Sequence, residues 1–581
     1  MDAVRGLLMD ESFLVTEDGS GNVRFIPGAE LLLRRLQHSK LFVAISYVDS
    51  VSFSRVAFVK NVATEYSFDL IMFNISGLDE ALNKILLSWG GVEGRYFYLT
   101  FRKDEDIFLK LRNPTWTIII RASEDGVKTS TQHQIISSVE ELPLMLSRFN
   151  KSLLNDGSIL TVGYVMKSSR EHDFVKRGAF PMYPTPNGLM FIPLSFDVSL
   201  VSQIRQVDIV LHKATDEIID IDPHKFFYCS QGITFSKGMQ ELRRCIDDHP
   251  AFCMIDPIDN IYPLLDRLRI QQILLGLDNI NMENRCKIRA PHFLQVDTFD
   301  KPDLVEKLEE AKLAFPYIVK PQVACGVTYA HDMAIVFQMD DFKDLNVPLP
   351  AIVQEYVDHG SFIYKFYVLG EKVFYAIRQS TPNANMLLLS SRENGSKPII
   401  FDSLKSLPKA QGHQNCENRI SSDSINEVLD VELVTNAAQW LRRTLNLTIL
   451  GFDVVIQEGS GDHVVVDVNY LPSFKEIPNE VAVPAFWDAL KSAYKTAKSK
   501  LDLMIQYYPP VLDHSVQQTD LVEVMVELHG LEIFKQAFNS ALEVEGDANI
   551  NPRLVQVISS PRQFYLVFWK IINIFPNLMH S

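Results

Sequence analysis

Three oxygen-bearing side chains near residue 460 form the pattern with the clearest chemical meaning. Asp453 lies in the apolar run GFDVVI, and Asp467 and Asn469 lie two residues apart in the run VVVDVNY. Residues two apart on a strand share one face of a sheet, and a carboxylate inside an apolar run needs a partner. Carboxylate and amide oxygens suit Mg2+ that bridges to nucleotide phosphates. The pattern therefore predicts a Mg2+ site, with acids at a sheet edge or turn as the alternative.

A lysine at the end of the run YIVK is followed by a loop that contains glycine. Lys320 precedes Pro321, the loop CGVT spans residues 325–328, and His331 follows. Backbone N–H groups in such a loop attract anions, as does a lysine ammonium. The pattern is compatible with a phosphate-binding loop, although a glycine turn without a ligand is the more common meaning of such a loop taken alone.

Four more cations lie inside strand-like runs or at their ends, in a chain that is acidic overall. Lys365 lies within IYKFYV, where a buried ammonium needs an anionic partner. Arg378 lies in the next run, Lys213 ends the run DIVLH, and Arg170 follows the run TVGYV. Each alone could be a solvated residue. Together with the cations of the preceding loop, they predict a highly phosphorylated ligand.

The elements that must position these residues are closely spaced strands. The runs rich in Val, Ile, Tyr and Phe predict antiparallel sheet: FPYIVKP, AIVQEYV, IYKFYVLG and KVFYAIRQS. LGFDVVIQ and HVVVDVNYL, joined by EGSGD, predict a hairpin with a glycine turn. A helix is predicted over 427–446, and residues 383–424 are expected to form a long connection of the kind that often serves as a lid.

Length and composition bound the class of protein. A chain of 581 residues exceeds one hydrophobic core, so two to four domains are expected. A net charge of -16, from 56 Lys and Arg against 72 Asp and Glu, argues against nucleic acid as a partner. The six cysteines lack C-x-x-C spacing, and the apolar run at 564–575 is too short to cross a bilayer. We expect a cytoplasmic monomer with no membrane partner.

At this point an ordered series of runs resembles a known family, the inositol 1,3,4-trisphosphate 5/6-kinases, also called inositol tetrakisphosphate 1-kinases. The runs extend from residue 162 to residue 474 and include VGYVMKSSR, DIVLHKATDE, IDPIDNIYPLLDR, FPYIVKPQVACG, VQEYVDHGSFIYKFYVLGE and VVVDVNYLPSF. The similarity is greatest to long plant members with an extra N-terminal domain. The resemblance implies an α/β ATP-grasp fold, ATP as co-substrate, Mg2+ as cofactor, and inositol tris- and tetrakisphosphates as substrates in inositol polyphosphate and phytate metabolism.

The family's functional residues carry over by position. The resemblance implies three Mg2+ ligands, Asp453, Asp467 and Asn469. It implies an ATP site made of Lys320, Lys287, Gln354, Glu355, Tyr356, Val357, Lys365 and Ser380. It implies a substrate site made of Arg170, Lys213, His331, Lys365, Arg378, Asn469 and Ser473. Lys365 and His331 are implied to be catalytic, and no obligatory general base is expected.

Four positions depart from the family pattern. Arg170 stands where the family usually has lysine, and Ser473 replaces a glycine whose backbone approaches the substrate. Val327 replaces a small hydroxyl residue, and Tyr329 replaces a lysine of the plant forms. We expect these changes to affect which inositol phosphate is used.

The first 150 residues loosely resemble the haloacid-dehalogenase fold. The runs LLMDES, PGAELLLRRL and VAIS place Asp10 where the nucleophile would lie, but Ser12 occupies the position of the second aspartate. An inactive structural or regulatory domain is therefore favoured over a phosphatase.

Four parts are predicted along the chain. They are a haloacid-dehalogenase-like α/β domain at 1–150, an inositol-phosphate-binding α/β subdomain at 158–290, an ATP-grasp region that binds ATP and Mg2+ at 291–500, and a helical extension at 501–581. Alternatives to the kinase are a non-catalytic inositol phosphate sensor, another ATP-grasp enzyme such as a carboxylate-amine ligase, and a phosphatase that works through Asp10. Isomerisation of inositol phosphates by reversible phosphate transfer is left open as a second activity of the kinase.

Overall fold

The computed structural model describes most of the chain up to Tyr507. The described residues are 3–74, 77–91, 94–112, 114–121, 134–153, 159–228, 232–247, 252–281, 286–393, 397–408 and 429–507. Met1–Cys245 and Met254–Ala493 form one compact unit, and a second comprises Ile246–Cys253 and Tyr494–Ser581. The site described below lies in the first unit.

The N-terminal part is built on a parallel sheet of six strands in the order β5-β4-β1-β6-β7-β8. The strands, together with a small hairpin (β2 and β3), are β1 Val4–Asp10, β2 Val15–Glu17, β3 Val23–Phe25, β4 Phe42–Val48, β5 Asp69–Phe73, β6 Arg95–Thr100, β7 Trp116–Arg121 and β8 Gln134–Ile136. The helices are α1 Glu11–Leu14, α2 Ala29–Leu36, α3 Phe53–Tyr66, α4 Leu78–Ser88, α5 Glu105–Lys110 and α6 Leu142–Leu153.

Both faces of this sheet are buried, which explains its near-continuous apolar strands. Leu7 packs in one apolar cluster with α2, α3 and α6, whereas its neighbour Leu8 packs in a second cluster with α4 and α5. Phe97 and Tyr98 divide in the same way between the two clusters. The predicted parallel α/β architecture is confirmed.

The next part has a small sheet in the order β10-β9-β11-β14, with β9 parallel to both of its neighbours. The strands, with an antiparallel hairpin (β12 and β13), are β9 Leu160–Val165, β10 Leu189–Pro193, β11 Ile209–His212, β12 Ile218–Ile221, β13 Ile233–Phe235 and β14 Cys253–Ile255. The helices are α7 Ser168–Lys176, α8 Leu200–Ile204, α9 Lys237–Asp247, α10 Ile258–Ile261 and α11 Arg267–Leu274.

Two five-stranded sheets follow, each named here by its lysine. The Lys320 sheet has the order β16-β19-β17-β18-β22, and the Lys365 sheet has the order β15-β24-β23-β20-β21. The strands are β15 Ile288–Arg289, β16 Phe293–Val296, β17 Tyr317–Pro321, β18 Asp332–Val336, β19 Ala351–Glu355, β20 Phe362–Leu369, β21 Lys372–Gln379, β22 Ile399–Asp402, β23 Ile449–Ile456 and β24 His463–Tyr470. The helices are α12 Leu304–Glu310, α13 Ala384–Glu393, α14 Val431–Leu445 and α15 Asn479–Tyr507.

The predicted hairpin is confirmed as β23 and β24, which pair antiparallel. Its turn contains Gly459 and Gly461, with φ angles of +87° and +73° that L side chains rarely adopt. The predicted helix over 427–446 is α14, which starts at Val431 because the Asp430 carboxylate accepts the Leu433 N–H at 2.9 Å.

The expectation of a long connection over 383–424 is wrong for its first half. Residues 384–393 form α13, whose Leu387 is fully buried. Residues 399–402 form β22, which pairs antiparallel with β18 and extends the Lys320 sheet. The Asn and Ser content concealed an apolar helix face and a strand. Residues 409–428, like most of the predicted extension at 501–581, lie outside the described residues.

An aromatic cluster joins α15 to the part of the chain that carries Arg170. Phe486 of α15 is fully buried, and its ring centroid lies 5.8 Å from that of Phe174 and 5.5 Å from that of Phe474. Phe174 lies on α7, and Phe474 follows β24. The cluster therefore fixes α7 against the segment after the hairpin.

We expect Phe486→Ala to lower the free energy of unfolding by about 3–5 kcal/mol, because it leaves a cavity among these rings. The measurement is urea unfolding followed by tryptophan fluorescence, since Trp487 is the next residue. The control is Phe53→Ala, at a side chain 88% exposed, for which we expect a change within about 0.5 kcal/mol. Equal effects of the two substitutions would contradict the assignment of this cluster to the core.

Candidate active site

A row of three charged side chains crosses the Lys365 sheet. Lys365 on β20 lies beside Asp453 on β23, which lies beside Asp467 on β24. The Lys365 Nζ donates to Asp453 Oδ2 at 2.9 Å. Burial raises the pKa of Asp453 to about 6, Lys365 opposes that rise, and the Asp467 charge adds to it. Burial opposes the charged form of Lys365, but Asp453 keeps the lysine pKa raised. The Lys365 ammonium therefore compensates Asp453 through a hydrogen bond and Asp467 through charge alone.

Asp467 and Asn469 project from one face of β24, as their spacing predicts, and both are exposed. The Asn469 amide donates to Asp467 Oδ2 at 2.7 Å. Together with Asp453 they offer carboxylate and amide oxygens, the donor set that suits Mg2+. Within the described ranges no group of three or more His, Cys, Asp or Glu side chains could hold a metal ion, and this set has only two carboxylates.

Lys320 joins the two sheets. It lies on β17, is 9% exposed, and donates through Nζ to Gln354 Oε1 at 3.1 Å and to the Val466 carbonyl at 3.4 Å. Val466 is the extra residue of a β-bulge, since Asp453 pairs with Asp467 but Val454 pairs with Val465. Burial lowers the pKa of Lys320 to about 8, and the Arg267 charge adds to the effect. A phosphate beside this lysine would favour its charged form.

Gln354 and Glu355 end β19, and they begin the segment from Gln354 to Val357 that is predicted to bind ATP. Gln354 is 2% exposed, and its side-chain oxygen accepts the Lys320 bond. Glu355 forms an ion pair with Arg289 of β15, and its Oε1 accepts the His292 N–H at 3.0 Å. The end of β19 is therefore tied to both sheets.

Tyr356 and Val357 continue this segment from one sheet to the other. The Tyr356 hydroxyl donates to Thr381 Oγ1 at 2.7 Å, and burial raises the pKa of Tyr356. Val357 is buried against valines of β23 and β24. Ser380, just after β21, donates its N–H to the Ser361 carbonyl at 2.8 Å. These contacts place the segment between the two sheets, where a hinge would lie.

Lys287 lies at the far end of the hairpin from the acids. Its side chain is exposed, its N–H donates to Asp462 Oδ1 at 3.1 Å, and its carbonyl accepts the His463 N–H at 2.7 Å. His463 is the first residue of β24, whereas Asp467 lies four residues further along. The structure therefore does not place Lys287 in direct contact with the row of acids.

Arg267 holds the loop after Lys320, and sequence reasoning missed it. This buried guanidinium donates to the carbonyls of Pro321 at 2.6 Å, Val323 at 2.8 Å and Ala330 at 3.1 Å. Burial lowers its pKa, while the Asp467 charge opposes that shift. The sequence signal was an arginine among the apolar residues of a helix start, but its carbonyl partners are more than fifty residues away.

The same loop packs on the β12–β13 hairpin through two of the positions that depart from the family pattern. Val327 and Tyr329 join an apolar cluster with Ile218 and Ile221, and the Tyr329 hydroxyl donates to the Ile221 carbonyl at 3.2 Å. Gly326 has a φ of +91°, and a Cβ there would lie 2.7 Å from Ile218. The two departures thus make an apolar contact that anchors the loop.

His331 ends this loop, immediately before β18. Its Nδ1 lies 3.2 Å from the Ser403 Oγ, and burial lowers its pKa, with the Arg267 charge adding to the shift. The Asp467 charge opposes the shift. Burial and the Arg267 charge thus favour the neutral imidazole of His331, which lies within the electrostatic field of Asp467.

Lys213 lies beside the residue that follows Asn469. Its Nζ donates to the Tyr470 carbonyl and lies 4.9 Å from the centroid of the Tyr470 ring. Burial lowers the pKa of Lys213 to about 8, and the nearby Arg170 charge adds to the effect. Arg170 forms a two-pronged pair with Asp216, at 3.0 and 3.3 Å. These two predicted substrate cations therefore lie in one electrostatic neighbourhood.

Arg378 and Ser473 lie where the segment after β24 passes the Lys365 sheet. Arg378 forms an ion pair with Glu476, whose carboxylate also accepts the Tyr367 hydroxyl. The Ser473 carbonyl accepts a hydrogen bond from Arg177. Left-handed φ angles occur at Leu471 and Phe474, but Ser473 is not among the residues with positive φ. Serine therefore fits this position without backbone strain.

Asp10 of the N-terminal part is 2% exposed and is occupied by local contacts. Its Oδ1 accepts the Ser12 N–H at 3.1 Å and also the Ser12 hydroxyl. Burial raises the pKa of Asp10, and the Ser12 bonds oppose that shift. The next residue, Glu11, is paired with Arg55 and Arg102. That this part is non-catalytic stays a prediction.

Comparison with family models defines the class. A model described as the inositol 1,3,4-trisphosphate 5/6-kinase ATP-grasp domain matches residues 282–488, and one described as "ITPK4, N-terminal HAD-like domain" matches residues 1–152. The expectation of an ATP-grasp fold preceded by a haloacid-dehalogenase-like domain is confirmed. The fold and the site thus define an ATP-grasp enzyme.

Comparison with known proteins identifies the family. Inositol-tetrakisphosphate 1-kinase 6 of Oryza sativa subsp. japonica is 48% identical over 492 residues, which cover 85% of this chain and 88% of that protein. Inositol-tetrakisphosphate 1-kinase of Danio rerio is 29% identical over 306 residues, 52% of this chain and 71% of that protein. The chain belongs to the inositol-tetrakisphosphate 1-kinase family.

A solved structure, D-alanine–D-alanine ligase from Bacillus anthracis, aligns with 13% identity and a TM-score of 0.35, covering 59% of this chain and 99% of that one. None of the helices that the structure describes is long and apolar enough to cross a bilayer.

We expect Arg267→Lys to loosen the loop at 321–331, because an ammonium cannot reproduce the fork of bonds to three carbonyls. The free energy of local opening should fall by about 2–4 kcal/mol, measured as faster hydrogen exchange of the loop amides. The control is Arg269→Lys, at an exposed position two residues along the same helix. Unchanged loop exchange in the Arg267 variant would contradict this role.

Proposed function

We propose that this inositol polyphosphate kinase transfers the γ-phosphoryl group of ATP to inositol tris- and tetrakisphosphates, as an inositol 1,3,4-trisphosphate 5/6-kinase and inositol 3,4,5,6-tetrakisphosphate 1-kinase. The observation that carries the proposal is the row formed by Lys365, Asp453 and Asp467, with Lys320 bonded to the strand that holds Asp467. Such a row combines the anions and cations that phosphoryl transfer needs.

The ATP side of the site is formed by the two sheets. Lys320 and Lys365 bind the phosphates, and the segment from Gln354 to Val357 presents backbone groups to adenine, with Ser380 and Lys287 at the margins. The support is the burial of Lys320 and the hinge position of that segment. The exposed position of Lys287 gives it the weakest structural support of this set.

Asp453, Asp467 and Asn469 would hold Mg2+, which would neutralise charge on the ATP phosphates when bound. A Mg2+ site here is supported by the pairing of Asp453 with Asp467 on neighbouring strands and by the Asn469 amide, which lies 2.7 Å from Asp467 Oδ2. Lys365 alone therefore leaves the two acids incompletely compensated, so a further cation at this position is favourable.

The substrate side is lined by Arg170, Lys213, His331 and Arg378, with Ser473 nearby. Arg170 and Arg378 are each held by an internal carboxylate, from Asp216 and Glu476 respectively. A polyphosphate would gain charge-assisted bonds to guanidinium groups that these acids already orient.

In the reaction, a hydroxyl oxygen of the inositol forms a bond to the γ-phosphorus while the bond from that phosphorus to the β,γ-bridging oxygen of ATP breaks. ADP leaves with the electron pair, and the hydroxyl proton passes to solvent. Lys365 and neutral His331 donate hydrogen bonds to the transferred group, and catalysis depends on positioning and charge stabilisation. Run backwards with one isomer and forwards with another, the same step would exchange phosphate between isomers.

A non-catalytic sensor and an ATP-grasp ligase are the competing functions. A sensor would not need the metal-binding acids of the hairpin. A ligase would not need the cations Lys213 and Arg170 near the hairpin. We further propose that the protein is a cytoplasmic monomer without nucleic-acid or membrane partners. Its net charge of -16 supports the part of this proposal that concerns nucleic acid.

We expect Asp467→Ala to abolish ADP formation, a loss of about a thousandfold or more, because it removes a metal-binding carboxylate. Asp467 is exposed, so the far-UV circular dichroism and the unfolding midpoint should be unchanged. ADP is measured with ATP, Mg2+ and a panel of inositol tris- and tetrakisphosphates. The control is Asp340→Ala, at a carboxylate 78% exposed and paired with Lys343. Full activity of the Asp467 variant would discard the metal assignment.

The pH dependence of kcat/KM should report the ionisation of Lys213. Because its pKa is lowered to about 8, its ammonium is present below pH 8 and lost as the pH rises through that value. We expect kcat/KM for the inositol phosphate, measured at saturating ATP, to fall by up to about tenfold per pH unit above pH 8. In Lys213→Arg the guanidinium stays charged, so the decline should move beyond pH 10. An identical decline in both proteins would refute this role for Lys213.

A further inference from the structure

A buried ion pair connects the N-terminal part to helix α7. Arg35 of α2 donates to the Glu171 carboxylate through Nε at 2.6 Å and through a terminal nitrogen at 3.1 Å. The side chains are only 13% and 6% exposed. The Tyr164 hydroxyl also donates to Glu171, at 2.8 Å. Such a two-pronged, buried pair fixes the orientation of both partners more strongly than a surface pair does.

Further contacts make this junction broad. The Lys151 ammonium of α6 pairs with Asp208 at 2.7 Å, and the Ser147 hydroxyl lies 3.0 Å from that of Thr161 on β9. Met182, which follows α7 in the chain, lies within an apolar cluster of the N-terminal part. The N-terminal part therefore packs directly on the elements that surround α7.

Helix α7 also carries the predicted substrate contacts. Arg170, which precedes Glu171, is paired with Asp216. Arg177, just after the helix, donates to the carbonyls of Ser473 and Phe474 and lies 4.5 Å from the centroid of the Phe474 ring. Helix α7 and the residue that follows it thus link the N-terminal part, the predicted substrate cation Arg170, and the segment after β24 that contains Ser473, called here the Ser473 segment.

We propose that Arg35 and Glu171 are positioning residues for the inositol phosphate, through which the N-terminal part sets the placement of Arg170 and of the Ser473 segment. This inference rests on the proposed function. Neither Arg35 nor Glu171 has to touch the substrate. If Arg35 is lost, Glu171 retains the Tyr164 bond but is left as a buried charge without its cation, which favours a shift of α7 toward water. A small displacement of a positioning helix is sufficient to weaken binding of a polyanion.

The test compares Arg35→Ala with Arg34→Ala. Arg34 is the neighbouring arginine on α2, is 53% exposed and is paired with Glu30 of the same helix. We expect Arg35→Ala to raise KM for the inositol phosphate by about three- to thirtyfold, with KM for ATP nearly unchanged. Arg34→Ala should behave as the wild type. Arg35→Lys, which keeps the charge, should restore part of the difference.

A second comparison separates positioning from a loss of stability. The double variant Arg35→Ala with Glu171→Gln contains no unpaired buried charge, so its unfolding midpoint should return toward that of the wild type. If α7 is positioned by the ion pair, KM for the inositol phosphate should stay raised in this variant. Recovery of both quantities together would overturn the inference, because the effect of Arg35→Ala would then be one of stability alone.

The remaining outcomes are also decisive. Equal rises in KM for ATP and for the inositol phosphate, or identical behaviour of the Arg35 and Arg34 variants, would refute the positioning role while leaving the kinase assignment intact. If instead the wild-type protein formed no ADP with any inositol phosphate of the panel, the proposed function itself would fail.

Discussion

The structure depends on the compensation of two carboxylates placed side by side in a sheet. Asp453 and Asp467 are direct neighbours on paired strands, and Lys365 completes the row from the third strand. Burial of Asp453 and the charge of the neighbouring Asp467 raise the pKa of Asp453, whereas Lys365 opposes the rise. The need for positive charge at this point explains why two lysines from different sheets approach it. At the β-bulge, the Val466 carbonyl accepts a hydrogen bond from Lys320 and so holds this lysine beside the strand that carries Asp467.

The predicted substrate cations also have local partners. Arg170 and Arg378 are each paired with an internal acid, while Lys213 donates to a backbone carbonyl. Pairing with an acid compensates the charge of each guanidinium group and orients it before a ligand arrives. A polyphosphate that bound here would meet an arrangement that needs little reorganisation. Burial and the Arg170 charge lower the pKa of Lys213, so an anionic ligand beside it would favour its charged form.

Sequence reasoning predicted what depends on local pattern. The spacing of Asp467 and Asn469 fixed their common face, and the glycine turn located the hairpin. It could not find Arg267, Glu476 or Asp216, because each acts through partners distant in the chain. It also misjudged residues 384–402, where polar composition concealed α13 and β22. Site contacts that cross between sheets become visible only once the strands are paired.

The N-terminal part combines a parallel sheet with a group of acids at the end of β1 whose charges are compensated by local partners. Glu11 is fully buried and is paired with both Arg55 and Arg102, and Asp10 is bonded to Ser12. Loss of either arginine would leave part of the buried Glu11 charge uncompensated, which is unfavourable. The sheet nevertheless keeps both of its apolar faces intact, so the rigidity of the domain is retained. A rigid body of this kind is suited to supporting α7, because its resistance to deformation at the junction holds Arg170 in place.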